Sequence, residues 1–148
     1  LPGSPEDWRM YPIAIVALFF GFFATLNAVL PRVSIEDHAK QTLATNFCIY
    51  RTAVANYVQS ERGINTVPEN ALALPPGYVS IRPWRIRITD GCCYIFGEAT
   101  PDEIVNIREK MDNSVLIGRN ENNRLYPSGV PVAANIPAGN VVSIVSLP

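Results

Sequence analysis

Trp84-Arg85-Ile86-Arg87-Ile88-Thr89-Asp90-Gly91-Cys92-Cys93-Tyr94-Ile95-Phe96 is the stretch that decides the fold class. From Trp84 to Ile88 apolar and basic side chains alternate strictly. That period puts Trp84, Ile86 and Ile88 on one strand face and Arg85 and Arg87 on the other. Asp90-Gly91 suits a two-residue hairpin, whose central positions need positive φ. The return segment, Cys92 to Phe96, is apolar on both faces, which places it inside a sheet. The chain therefore contains an antiparallel pair whose second strand is central.

Toward the C-terminus, Thr100-Pro101-Asp102-Glu103 is a capping box with Pro at the first helical position. Ile104, Ile107 and Met111 give this helix its apolar edge, and Asp112-Asn113 end it. Val115-Leu116-Ile117 reads as a short strand and Asn120-Glu121-Asn122-Asn123 as a polar turn. Leu125 to Ala134 is interrupted by Pro127, Gly129 and Pro131, so it reads as irregular chain or an edge strand. Pro137-Ala138-Gly139-Asn140 turns the chain into a last strand, Val141 to Val145.

Toward the N-terminus, Thr66 to Tyr78 is a connector punctuated by Pro68, Pro75, Pro76 and Gly77. Ahead of it, Ala39, Leu43, Phe47, Tyr50, Val54, Tyr57 and Val58 recur at spacings that define one helical stripe. Lys40, Gln41, Thr45, Arg51, Asn56 and Gln59 occupy the other faces. The pattern predicts a helix from Ser34, a good N-cap, to Arg62, with Gly63 as its stop. The stripe is a core face; it lacks the sustained Leu/Ile heptad of a coiled coil. The fold class is thus α+β: an N-terminal apolar helix continuing into a long amphipathic helix, packed on a mostly antiparallel β-sheet with one further short helix.

The apolar helix is the run Ile13 to Leu30, which contains no charged side chain. At a rise of 1.5 Å per residue it spans roughly 27 Å, close to a hydrocarbon core of about 30 Å. Tyr11 and Arg32 flank it as interfacial residues. Three readings compete. A cleaved secretory signal would need a basic leader, but only Arg9 precedes the run, and Leu26-Asn27-Ala28 puts a large residue in the small-x-small site. A buried core helix would leave little protein to cover a segment apolar all round. A retained membrane anchor is the preferred reading. Residues 1–9 then form an expression remnant or disordered leader, 10–31 a transmembrane anchor and 32–148 an α+β domain. Counted from Met10, the basic residues Arg32 and Lys40 follow the run, which by charge alone would place the C-terminal part inside the cell.

Twelve basic against thirteen acidic residues leave no electrostatic footprint for nucleic acid. The sequence holds three cysteines, Cys48, Cys92 and Cys93. In an oxidising compartment Cys48 could bridge Cys92 or Cys93, stapling a helix to a sheet; three buried thiols are the equal alternative. No Cys-x-x-Cys spacing occurs and His38 is the only histidine, which argues against a metal site. The sequence has no phosphate loop, dinucleotide fingerprint or nucleophile elbow, so no catalytic or cofactor-binding residue is assigned and the chain reads as non-enzymatic. Arg82, Arg85 and Arg87 are the most suggestive polar feature. They are a candidate partner face for an acidic group or phosphate, or simply the charged face of an edge strand.

An apolar helix leading into an amphipathic one over a sheet resembles the plan of type IV pilins. Pilin processing, however, needs a basic leader, a Gly, then an aromatic or Met, with Glu at the fifth mature position. Here Gly21-Phe22 lies inside the apolar run and Leu26 stands where Glu belongs. A closer resemblance is carried by Met10-Tyr11-Pro12-Ile13 with the apolar run, Phe47-Cys48-Ile49-Tyr50-Arg51, Leu74-Pro75-Pro76-Gly77-Tyr78 and Pro137-Ala138-Gly139-Asn140. In these parts the chain resembles the PilM family of plasmid and pathogenicity-island type IVB pilus operons. It does not resemble the actin-like ATPase of type IVA pili that shares the name, whose length and phosphate loop are missing. The resemblance implies a component of conjugative thin-pilus biogenesis in bacteria, single-pass in the inner membrane, with its C-terminal domain in the periplasm. It implies no cofactor, and as partners other pilus-assembly proteins, with oligomerisation left open. A minor pilin-like fibre subunit and a periplasmic ligand-binding domain are the rival readings.

Overall fold

The computed structural model describes residues 15–22 and 35–148, which belong to two compact units divided after Ser34. Residues 15–22 are helical, with Leu18, Phe19, Phe20 and Phe22 exposed. They are the described portion of the apolar run. The leader 1–9, the rest of the anchor, and the Ser34 cap lie outside the described residues. Among the described residues no helix is long and apolar enough to cross a membrane.

The second unit is the α+β domain. Helix α1, Ile35–Ser60, ends just before Gly63, whose φ of 68° is the left-handed backbone expected at a helix stop. Helix α2, Pro101–Lys110, carries the complete capping box: Thr100 Oγ1 accepts from Glu103 N at 3.3 Å, and Thr100 N donates to Glu103 Oε2 at 2.7 Å. The strands are β1 (Arg85–Thr89), β2 (Cys92–Gly97), β3 (Ile117–Glu121), β4 (Arg124–Tyr126) and β5 (Val141–Ser146). They form one antiparallel sheet in the order β1-β2-β5-β3-β4. Strand β2 is interior, as its two apolar faces required, and β1 is an edge.

The two faces of β2 feed two cores. Cys93 and Ile95 join Leu43, Phe47, Val54 and Val58 of α1 and Ile104 and Ile107 of α2. Tyr94 and Phe96 join Val142 and Ile144 of β5, covered by Val132 and Ile136. The helices therefore cover one face, and the irregular segment after β4 covers the other. Fully burying each such Phe, Ile or Val contributes about 1.5–3 kcal/mol. In the helix-side core the Trp84 ring meets Phe47 edge-on at 4.9 Å, and Gly97 lies beneath it, where a Cβ would sit 2.5 Å from the indole.

Three expectations shift. The strand expected at Val115–Ile117 begins only at Ile117, and the turn expected from Asn120 shrinks to Asn122-Asn123, both at positive φ. Asn120 is instead a fully buried strand residue. Its Nδ2 donates to the carbonyls of Ile136 (2.8 Å) and Pro137 (3.2 Å), tying down the covering segment. Its donor side is thus satisfied by backbone carbonyls, while Oδ1 is buried with no hydrogen-bond partner among the described residues. Arg51, expected on the solvated side of α1, is half-buried and donates from Nε to Ser143 Oγ of β5 at 3.3 Å.

Candidate partner-binding edge

Strand β1 has β2 on one side and, among the described residues, no strand on the other. Asp90 and Gly91, at φ 52° and 72°, close its hairpin in the left-handed backbone expected of that dipeptide. Thr89 pairs with Cys92, Arg87 with Tyr94, and Arg85 with Phe96. The pair flanking a two-residue turn is hydrogen-bonded, and bonded pairs alternate along an antiparallel ladder. Arg85, Arg87 and Thr89 therefore spend their peptide groups on β2, while Ile86 and Ile88 turn theirs outward. Among the described residues no backbone group outside the hairpin pairs with those two.

The side chains follow the predicted alternation. Trp84 is buried in the helix-side core, and Ile86 and Ile88 pack against it. Arg85 is exposed on the opposite face. Arg87 Nη1 donates to the carbonyl of Asn135 at 3.1 Å. Neither has a carboxylate partner among the described residues. Arg82 does not join them. It is engaged at α2, with Nη2 2.8 Å from Glu103 Oε1 and Nη1 donating to Glu98 O at 2.8 Å. The candidate partner face thus reduces to Arg85 and Arg87, and Arg82 is a structural cation.

A hollow of about 390 Å³ follows the free edge of β1. Tyr50, Val67 and Glu69 wall it toward the helices, and Phe96, Asn135 and Pro137 toward the opposite face. Tyr50 is only 5% exposed, and among the described residues its hydroxyl has no hydrogen-bond partner. Burial, helped by the nearby Glu69 carboxylate, pushes this phenol up to about 12. It is a neutral hydroxyl at physiological pH.

Asn46 positions the approach to β1. Its Nδ2 donates to Val79 O at 2.8 Å, and its Oδ1 accepts from Trp84 Nε1 (2.9 Å), Tyr78 Oη (3.1 Å) and Ile81 N (3.2 Å). One buried amide thus clips the segment 78–84 to α1. Sequence reasoning missed both Asn46 and the edge role of Tyr50. The signal was spacing: Asn46 lies three residues after Leu43 and four before Tyr50, hence on the buried stripe.

Cys48, Cys92 and Cys93 are free thiols in this structure, so the bridge from Cys48 to Cys92 or Cys93 is not formed. Cys93 is in the helix-side core near Tyr50, whereas Cys92 packs on the opposite face. Cys48 lies two positions before Tyr50, about 200° of rotation around the helix, so it faces a different groove beside Lys110. Burial pushes the Cys93 thiol up to about 11, and raises that of Cys48 despite Lys110 and Arg51. Both are protonated at neutral pH. Among the described residues no three His, Cys, Asp or Glu side chains gather as a metal site would need. His38 is exposed on the first turns of α1.

A family model described as PilM matches residues 15–144. The chain belongs to the PilM family. The matched span takes in the described part of the apolar run and the whole of the sheet up to Ile144 of β5. PilM membership makes this a pilus-related protein. Among solved structures, the crystal structure of PilM from Escherichia coli B7A is similar, with a TM-score of 0.58 and 18% identity. The likeness covers 76% of this chain and 95% of that one, and at this identity it is a likeness of fold. No curated protein matches the chain.

Proposed function

We propose that this PilM-family chain is a non-enzymatic, membrane-anchored component of type IVB pilus assembly, of the conjugative thin-pilus kind. Ile13 to Leu30 holds it in the bacterial inner membrane in a single pass. The α+β domain stands in the periplasm and acts through contacts with other pilus-assembly proteins. The family match over residues 15–144 carries this reading. It is supported by the charge-free run Ile13–Leu30, and by the edge of β1, which among the described residues is unpaired and lies beside two cations without carboxylate partners.

A reporter enzyme that is active only outside the cytoplasm, fused after Pro148, tests the topology. Activity is expected, and a cytoplasmic reporter signal would reverse the orientation. Mass spectrometry of the mature N-terminus separates an assembly component from a fibre subunit. A chain that keeps Gly21 and the residues before it is expected; an N-methylated Phe22 would make it a pilin-like subunit.

A further inference from the structure

We propose that the free edge of β1 takes up an extended acidic segment of a partner protein as an additional β-strand. The inference rests on the reading of the chain as a protein-contact module, and not on its compartment.

Three independent observations converge on this edge. The first is the backbone: the outward N–H and C=O groups of Ile86 and Ile88 are a ready template for main-chain hydrogen bonds. An edge left in this state invites pairing unless it is short, twisted away or covered. The second is shape. The hollow lies beside Arg85, Ile86 and Arg87 and draws its lining from both faces of the sheet, so an added strand finds side chains to pack on along that part of the edge. In the inner wall, the hydroxyl of Tyr50 is buried and has no hydrogen-bond partner among the described residues. The third is charge. Arg85 and Arg87 stand two residues apart on one face and lack carboxylate partners among the described residues.

These features choose the occupant. Side chains of an added strand alternate between faces, so every second residue comes beside Arg85 or Arg87. Opposite charges across a strand pair stabilise it and like charges oppose it. A second copy of this chain is therefore a poor occupant. Antiparallel β1–β1 pairing in a continuous sheet would bring Arg85 and Arg87 of both copies onto one face. An acidic strand meets the same cations favourably. Glu69 lies on the other wall, so the carboxylates must alternate rather than fill both faces.

The test uses the full chain in detergent micelles and a synthetic peptide in which Glu alternates with Thr. Amide hydrogen exchange should slow at Ile86 and Ile88 on adding the peptide and stay unchanged at Arg87, already bonded to β2. The Glu peptide should bind about tenfold tighter than its Lys-for-Glu counterpart, the sum of two or more cross-strand charge contacts. In a chain carrying Arg85→Glu and Arg87→Glu the preference should reverse. Unslowed exchange at Ile86 and Ile88, or equal binding of the two peptides to the unaltered chain, overturns the proposal. The peptide comparison needs no substitution, so it stands even where the double variant folds poorly. Failure here leaves the topology and N-terminal results untouched, and the reverse is also true.

Discussion

Replacing Asn46 with Ala removes one amide that serves four groups. Their fates differ. Val79 and Ile81 are exposed, so water replaces the amide at Val79 O and Ile81 N and only the modest net worth of a bond is lost there. The Tyr78 hydroxyl is already 3.3 Å from the backbone carbonyl of residue 46, which survives the substitution. Trp84 has no such escape. It is 4% exposed, and Asn46 Oδ1 is its acceptor at 2.9 Å. Leaving a buried N–H unsatisfied costs about 1–3 kcal/mol, and the lost Val79 bond adds about 0.5–1. The expected destabilisation is about 2–4 kcal/mol, or a fall in Tm of roughly 10 °C for a domain of this size. Circular dichroism during thermal and urea unfolding measures it. Trp84→Phe and the double variant complete the cycle, with an expected coupling of about 1–2 kcal/mol because the indole N–H is the shared partner. Asn46→Ala within about 0.5 kcal/mol of the parent, or a cycle with no coupling, would refute the idea that this amide anchors the approach to β1.

Gly118→Ala places a Cβ 2.4 Å from the carbonyl oxygen of Tyr126, a backbone atom that cannot swing away. Loss of about 2 kcal/mol or more is expected, with faster exchange in β3 and β4; parental stability would contradict the close approach. Thr100→Ala should cost about 1 kcal/mol through the lost cap of α2, read by denaturant titration, and an unchanged midpoint would argue against the capping box. The raised phenol of Tyr50, about 12 against an ordinary 10.0, and thiol of Cys93, about 11 against 9.0, fix the sign of alkaline behaviour. Unfolding releases these protons more readily, so their contribution is complete below about pH 9 and is lost as pH rises toward 12. Stability constant across that window would count against burial of both groups, and Tyr50→Phe should flatten its upper part. Peptide mapping without reductant should recover Cys48, Cys92 and Cys93 as three free thiols, and a linked pair would overturn the disposition seen here.

The hairpin was legible because each of its parts has one reading. Strict alternation, an Asp-Gly turn and a two-sided apolar strand all require an inner β2 with a hairpin partner. The capping box at Thr100 was equally plain, since its two hydrogen bonds are local. Asn120 and Asn46 were not legible, for one reason: both amides are buried and held by groups far along the chain, Ile136 for the first and Val79 and Trp84 for the second. Local sequence reads Asn as a turn or surface residue and holds no trace of partners 16 to 38 residues away. The three arginines illustrate the limit from the other side. Their proximity in sequence suggested one cluster, but Pro83 and Trp84 intervene, and Arg82 ends at the helix cap while Arg85 and Arg87 alternate out on the strand. The edge hollow was hidden as well, because Tyr50, Glu69 and Asn135 come from three separate segments.

Glu103 divides its two oxygens between clients on different elements: Oε2 takes the Thr100 N–H that starts α2, and Oε1 takes the guanidinium of Arg82 ahead of β1. A glutamine there has one acceptor oxygen and must abandon one client. Positions 82, 100 and 103 are therefore coupled through one carboxylate, so a change at any of them is felt both at the start of α2 and ahead of β1.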